Sequence, residues 1–140
     1  MDEVFYDDIH RTISYNGSWA RMYGSIYRQT TIHRTRKMGD SAQFKFNGKL
    51  HHRSLVKFIQ VAGTSIAFLG VQGWDHGAFI VDLDGIETTV DGHCCGRSGG
   101  IPQVVQFEAN NLSPTVEHTI TITNAEKGPY GNVFEVDGFL

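Results

Sequence analysis

Two short stretches of the chain hold side chains suited to recognising a sugar. In VQGWDHGAF, Trp74, Asp75 and His76 stand between Gly73 and Gly77, and in DGHCCGRSGG, His93 and Arg97 lie on either side of two adjacent cysteines. A pyranose offers a C–H face that packs on an aromatic ring, and hydroxyls that pair with carboxylates, imidazoles or guanidinium groups. Trp74 is either displayed for that contact or packed beneath its loop. Asp75, His76, His93 and Arg97 are the polar complement, with Tyr23, Tyr27 and Tyr130 as further aromatic candidates.

Other chemistries lack their spacing. The chain contains no G-x-S-x-G elbow, no H-E-x-x-H, no Walker loop and no zinc-type Cys/His pattern. His51 and His52 read as part of an exposed loop rather than a metal site. His93, Cys94 and Cys95 combine a base with thiols, but adjacent residues seldom aim at one centre. A hydrolase pair would have to come from Asp75, Asp82, Asp84, Glu87 and Asp91, whose separations a sequence does not disclose. Cys94 and Cys95 cannot staple distant elements, and two ordinary loop thiols are a simpler reading than a vicinal disulfide.

The elements that must position these residues read as strands. The chain has 140 residues, 40% of them hydrophobic and 19% charged, with a net charge of -3. That is enough for one core in a single domain, residues 1–140, and gives no electrostatic bias towards nucleic acid. No stretch reaches the roughly 18 apolar residues of a membrane helix. The opening MDEVFYDDIH is acidic and lacks the basic and apolar regions of a secretory signal.

Tyr6 to Tyr15 reads as a first extended segment ending at an Asn16-Gly17 turn, and Ser18 to Tyr27 as an irregular surface segment. Thr31 to Thr35 follows as a short polar strand, and Ala42, Phe44 and Phe46 alternate with polar residues at the strand period. TSIAFLGVQG is apolar on both faces, as in a strand buried between layers. Ala78 to Leu83 and Glu87 to Val90 form a hairpin about Asp84-Gly85, whereas HCCGRSGGIPQ is a loop. Val104 to Phe107, Thr119 to Thr123 and Val133 to Leu140 complete eight or nine strands, and Phe44, Ile66, Ile80 and Ile120 are expected to share the interior. The fold class is all-β, an antiparallel β-sandwich.

DDIHRTISYNGSW, AQFKFNG, TSIAFLG, GAFIVDLDG and LSPTVEHTITITN resemble a widespread fungal family of extracellular domains, galactose-binding-like jelly rolls similar to carbohydrate-binding modules and lectins. The closing FEVDGFL matches the family's last strand at Asp137, with the family's aromatic displaced by Gly138. In the family the F.F.G phrase runs directly into TSI, so Lys49 to Gly63 looks inserted: removing it leaves FKFNGTSIAFLG. The insert is either a retained intron or a genuine surface excursion, a loop or short helix. Gly48-Lys49-Leu50 can be encoded across a donor splice site and Val61-Ala62-Gly63 across an acceptor.

The resemblance implies a jelly-roll domain at the cell surface or outside the cell; with the loop residues above it leads to the expectation of glycan binding without catalysis, through Trp74, Asp75, His76, His93 and Arg97. Trp19, which matches the family's GSW, is expected to plug one end of the sandwich rather than to be displayed. Asp7, Asp8 and Asp137 would bracket a structural Ca²⁺ where the two ends of the chain meet, since Ca²⁺ takes several hard oxygen ligands. The rival functions are an adhesive ectodomain that holds a protein partner or a second copy as a homodimer, and a glycan-active hydrolase.

Overall fold

The computed structural model describes residues 4–47, 64–96 and 99–140. Among these residues eleven strands form two antiparallel sheets: β1 (Tyr6–Asp7), β2 (Ile13–Asn16), β3 (Ala20–Tyr23), β4 (Thr31–Thr35), β5 (Ser41–Asn47), β6 (Thr64–Gly73), β7 (Ala78–Leu83), β8 (Ile86–Asp91), β9 (Gly100–Leu112), β10 (Glu117–Glu126) and β11 (Phe134–Phe139). One sheet runs β3-β4-β11-β6-β9, with β1 also paired to β11, and the other runs β2-β5-β10-β7-β8. The fold is the expected β-sandwich.

Period-2 alternation closes the core from both sides. Ala42, Phe44, Phe79, Val81, Leu83, Ile120 and Ile122 face inward from one sheet, and Ile66, Phe68, Phe134, Val136 and Phe139 from the other. Phe44 stacks on Phe139 at 4.9 Å between ring centroids, and Phe79 on Phe134 at 4.9 Å. Trp19 packs against this core beside Phe134 and donates its indole N–H to the Asn16 carbonyl at 3.1 Å.

Ile80 does not join the interior. On β7 the buried positions are Phe79, Val81 and Leu83, so Ile80 shares the outer face with Asp82. The strand has one parity to choose, and three bulky residues outweigh Ala78, Ile80 and Asp82. Two other segments differ from expectation. Tyr6 to Tyr15 divides into β1 and β2, which belong to different sheets and are joined by turns at His10. β3 forms within the segment expected to be irregular, and β9 extends to thirteen residues by absorbing Gly100 to Gln103 and Glu108 to Leu112.

β11 is buried along its whole length. Phe134 and Val136 point into the core, so Glu135 and Asp137 point out of the other face of the sheet. There the 24–30 connection reaches over them: the Arg28 N–H donates to Asp137 Oδ2 at 3.2 Å, and Gln103 of β9 donates to the Ile26 carbonyl at 2.7 Å. Two acids are thereby held out of water on one strand.

β5 ends at Asn47 in one sheet and β6 begins at Thr64 in the other, with Asn47 opposite Glu117 and Thr64 opposite Leu112. The expected insert from Lys49 to Gly63 lies outside the described residues. Among those residues no helix is long and apolar enough to cross a membrane.

Candidate functional site

Three connections meet at the end of the sandwich opposite Asn47 and Thr64. They are 74–77 between β6 and β7, 92–99 between β8 and β9, and 127–133 between β10 and β11, and each crosses from one sheet to the other. The meeting is close. Gly73 N–H donates to Gly92 O at 3.1 Å, Trp74 N–H to Gly99 O at 3.0 Å, and Val133 N–H to Asp75 O at 3.0 Å. Glycines make this approach possible, since a Cβ on Gly77 would stand 1.9 Å from Glu126 O and one on Gly128 2.2 Å from His76 O.

The half-buried Trp74 ring lies 6.0 Å from that of Tyr130, which is 63% exposed, and the His93 ring lies 6.3 Å from the same tyrosine. His93 Nε2 is buried without a partner among the described residues. Trp74 and His93 are thus brought to one surface, and Tyr130 joins them. Arg97 lies outside the described residues. Cys94 and Cys95 are joined in a disulfide, contrary to the simpler reading of two thiols.

His76 is turned inward rather than displayed. Its ring is buried between Asp75, at 3.0 Å from Nδ1, and Glu135, at 3.1 Å from Nε2. Glu135 also accepts from Arg34 Nε at 2.5 Å, so the loop that carries Trp74 is anchored to β11 and β4 through a satisfied charge network. His76 therefore holds the loop and offers no ligand-facing surface, while Asp75 keeps a partly exposed side chain.

Asp7, Asp8 and Asp137 converge on the outer face of β11, each with a carboxylate oxygen within 4.8 Å of the others. All three are buried. Asp8 is satisfied by Thr31 Oγ1 at 2.5 Å and His33 Nδ1 at 2.7 Å, but Asp7 Oδ1 and Asp137 Oδ1 have no partner among the described residues. Burial pushes Asp137 up to about 7 against the Arg28 N–H, helped by the charges of Asp8 and Asp7. Burial, then the charge of Asp8, also raises Asp7. Hard donors with two orphaned oxygens and mutual repulsion fit a hard divalent cation.

A third feature is an open groove of about 510 Å³ on the outer face of the second sheet, lined by Gln43, Ile80, Asp82, Glu87, Thr119, Thr121 and Thr123 among others. Its acids are largely committed. Asp82 Oδ1 accepts the Gly85 N–H at 2.8 Å, and Asp84 accepts from Thr119 N–H at 2.8 Å and pairs with His118 at 2.5 Å.

No family model and no curated protein sequence matches the chain. Solved structures do. A xanthan lyase from Paenibacillus superimposes with a TM-score of 0.64 at 10% identity, over 97% of this chain and 13% of the lyase. An exo-β-1,3-galactanase from Phanerochaete chrysosporium with galactose gives 0.61 at 17% identity, over 99% of this chain and 29% of the enzyme. The Agl-KA catalytic domain gives 0.54 at 12%, over 97% and 27%. The chain thus spans under a third of each of these proteins, and at such identities the likeness is one of fold. The same β-sandwich fold occurs within the xanthan lyase and the galactanase.

Proposed function

We propose that this domain binds carbohydrate without catalysis, through the end of the sandwich that carries Trp74, Tyr130, Asp75 and His93. The observation behind this reading is the convergence of three inter-sheet connections that set a half-buried indole against an exposed phenol with an imidazole alongside. Such a surface offers a stacking face together with polar groups at its rim, which is what a pyranose requires. The fold's occurrence within a galactanase and a xanthan lyase adds weight. A hydrolase reading has less support, because Asp75, Asp82 and Asp84 each already serve a neighbouring donor.

A structural Ca²⁺ at Asp7, Asp8 and Asp137 belongs to the same proposal, holding the N-terminal segment against β11. It rests on the two orphaned carboxylate oxygens. The decisive experiment is a glycan array that includes galactose and β-1,3-linked galacto-oligosaccharides, run with the wild type and Trp74→Ala. Binding that the variant loses supports the reading; silence across the array overturns it.

Self-association is a second reading, favoured by β9. That strand closes the edge of its sheet and exposes Ile101 and Val105. A dimer mass in light scattering that Val105→Lys converts to a monomer would support it.

A further inference from the structure

The Cys94–Cys95 disulfide calls for a local explanation. A bridge between adjacent residues closes almost no chain, so it adds little to the stability of the whole fold. What it can fix is the conformation of its own loop.

That loop is the support on which Trp74 rests. Cys94 N–H donates to Gly73 O at 3.1 Å, tying the first cysteine to the residue before Trp74. Cys95 takes a left-handed backbone conformation, φ 71°, which a non-glycine residue adopts reluctantly. Its side chain lies against Gly99, where an added Cβ would stand 2.7 Å from Cys95 Cβ. Gly99 in turn receives the Trp74 N–H at 3.0 Å and returns its own N–H to Gly96 O at 2.8 Å. A continuous path therefore runs from the disulfide through Gly99 to the backbone of Trp74, and Cys95 is exposed, within reach of a reductant.

We propose that this disulfide is a working part of the glycan-facing surface: oxidised, it holds Gly92 to Gly96 and Gly99 in the arrangement that seats Trp74 beside Tyr130; reduced, it releases that seat. The inference rests on the glycan reading for its ligand but not for its conformational claim. A dithiol supplies two electrons and two protons: the Cys94 Sγ–Cys95 Sγ bond breaks, each sulfur gains a hydrogen, and the reagent leaves as its own disulfide.

The test uses the 140-residue protein labelled with fluorotryptophan, whose two tryptophan signals are assigned by the loss of one in Trp74→Phe. Air-oxidised protein should contain no titratable thiol. On adding dithiothreitol the Trp74 fluorine resonance should shift while that of Trp19 stays in place, and the far-UV spectrum should not change. Affinity for the best array ligand should fall about tenfold. A Cys94→Ser, Cys95→Ser double variant should show the reduced signature at all times and ignore dithiothreitol.

Two free thiols in the oxidised protein would overturn the inference, as would a Trp74 resonance that is the same in the oxidised, reduced and doubly substituted proteins. Absence of glycan binding together with a Trp74 resonance that answers to dithiothreitol would sink the glycan reading and leave the disulfide's role standing.

Discussion

Trp74 is held by its backbone rather than by a pocket, since its N–H meets Gly99 O and its neighbour Asp75 carries Val133 and His76. Removing the ring should therefore cost binding and spare the fold. Trp74→Ala is expected to lose about 2 kcal/mol of glycan affinity, roughly thirtyfold by titration calorimetry, with little change in thermal midpoint. His118 makes a prediction of another kind. Both its ring nitrogens face acceptors, Asp84 Oδ2 at 2.5 Å and Ser113 O at 2.7 Å, so the ring is held as imidazolium. Burial opposes the charge, but the bonds to Asp84 and Ser113 outweigh it and raise His118 above 6.5. Burial likewise opposes ionised Asp84, and His118 with the Thr119 N–H outweighs it and lowers Asp84 below 3.8. The histidine's contribution is complete below the unfolded value and is lost as pH rises through its higher folded value. The aspartate's is lost as pH falls through its own lowered value. Thermal midpoints should decline above about pH 6.5, and His118→Asn should flatten that decline. A wild type and variant with parallel profiles would refute the coupling. The materials of the Trp74 surface were legible because glycines bracket a large aromatic and a histidine. The inward turn of His76 was not, because its partner Glu135 lies 59 positions away on a strand whose outer face reads as solvent-exposed.

At the scale of the strand, alternation decides which side chains count. Phe79 and Ile80 are neighbours with opposite fates, one 1% exposed in the core and the other lining the outer groove. Phe79→Ala should cost about 3–5 kcal/mol in chemical denaturation, and Ile80→Ala less than about 1. Equal losses would mean that β7 runs in the other parity. The alternation itself is visible in the sequence, but both parities of AFIVDL contain apolar residues, and only packing against the opposite sheet separates them. Turns were easier to read. Asp84-Gly85 and Asn16-Gly17 both appear where their residues predict, and Gly17 is doubly constrained. Its φ is +115°, and an added Cβ would stand 2.0 Å from the Asp40 Oδ1, whose partner oxygen accepts the Ser18 N–H at 2.8 Å. Gly17→Ala should destabilise by about 2–4 kcal/mol, more than backbone conformation alone would cost. β3 and the full length of β9 are not legible because Gly, Pro and scattered aromatics mask their period, and β9 tolerates Pro102 because it lies at a sheet edge.

The whole molecule depends on how well its first described residues are tied to its last. Tyr6 and Asp7 pair with Phe139 and Gly138, and three buried carboxylates meet just beneath that pairing. Calcium should raise the thermal midpoint, by an amount equivalent to about 2.7 kcal/mol at a hundred times the dissociation constant, and EDTA should reverse it. Asp137→Asn should abolish the response. Identical midpoints in EDTA and in millimolar calcium would remove the cation from the account. The acids stood out in the sequence only through the family resemblance, since nothing in their spacing shows that positions 7 and 137 share a strand pair. The sandwich also has two poles with separate uses. Asn47 and Thr64 lie at one, while Trp74 and Tyr130 gather at the other. A dye, a purification handle or a bead tether built into the chain between Asn47 and Thr64 would leave the aromatic pole facing the bulk, which makes that position the natural place to graft cargo.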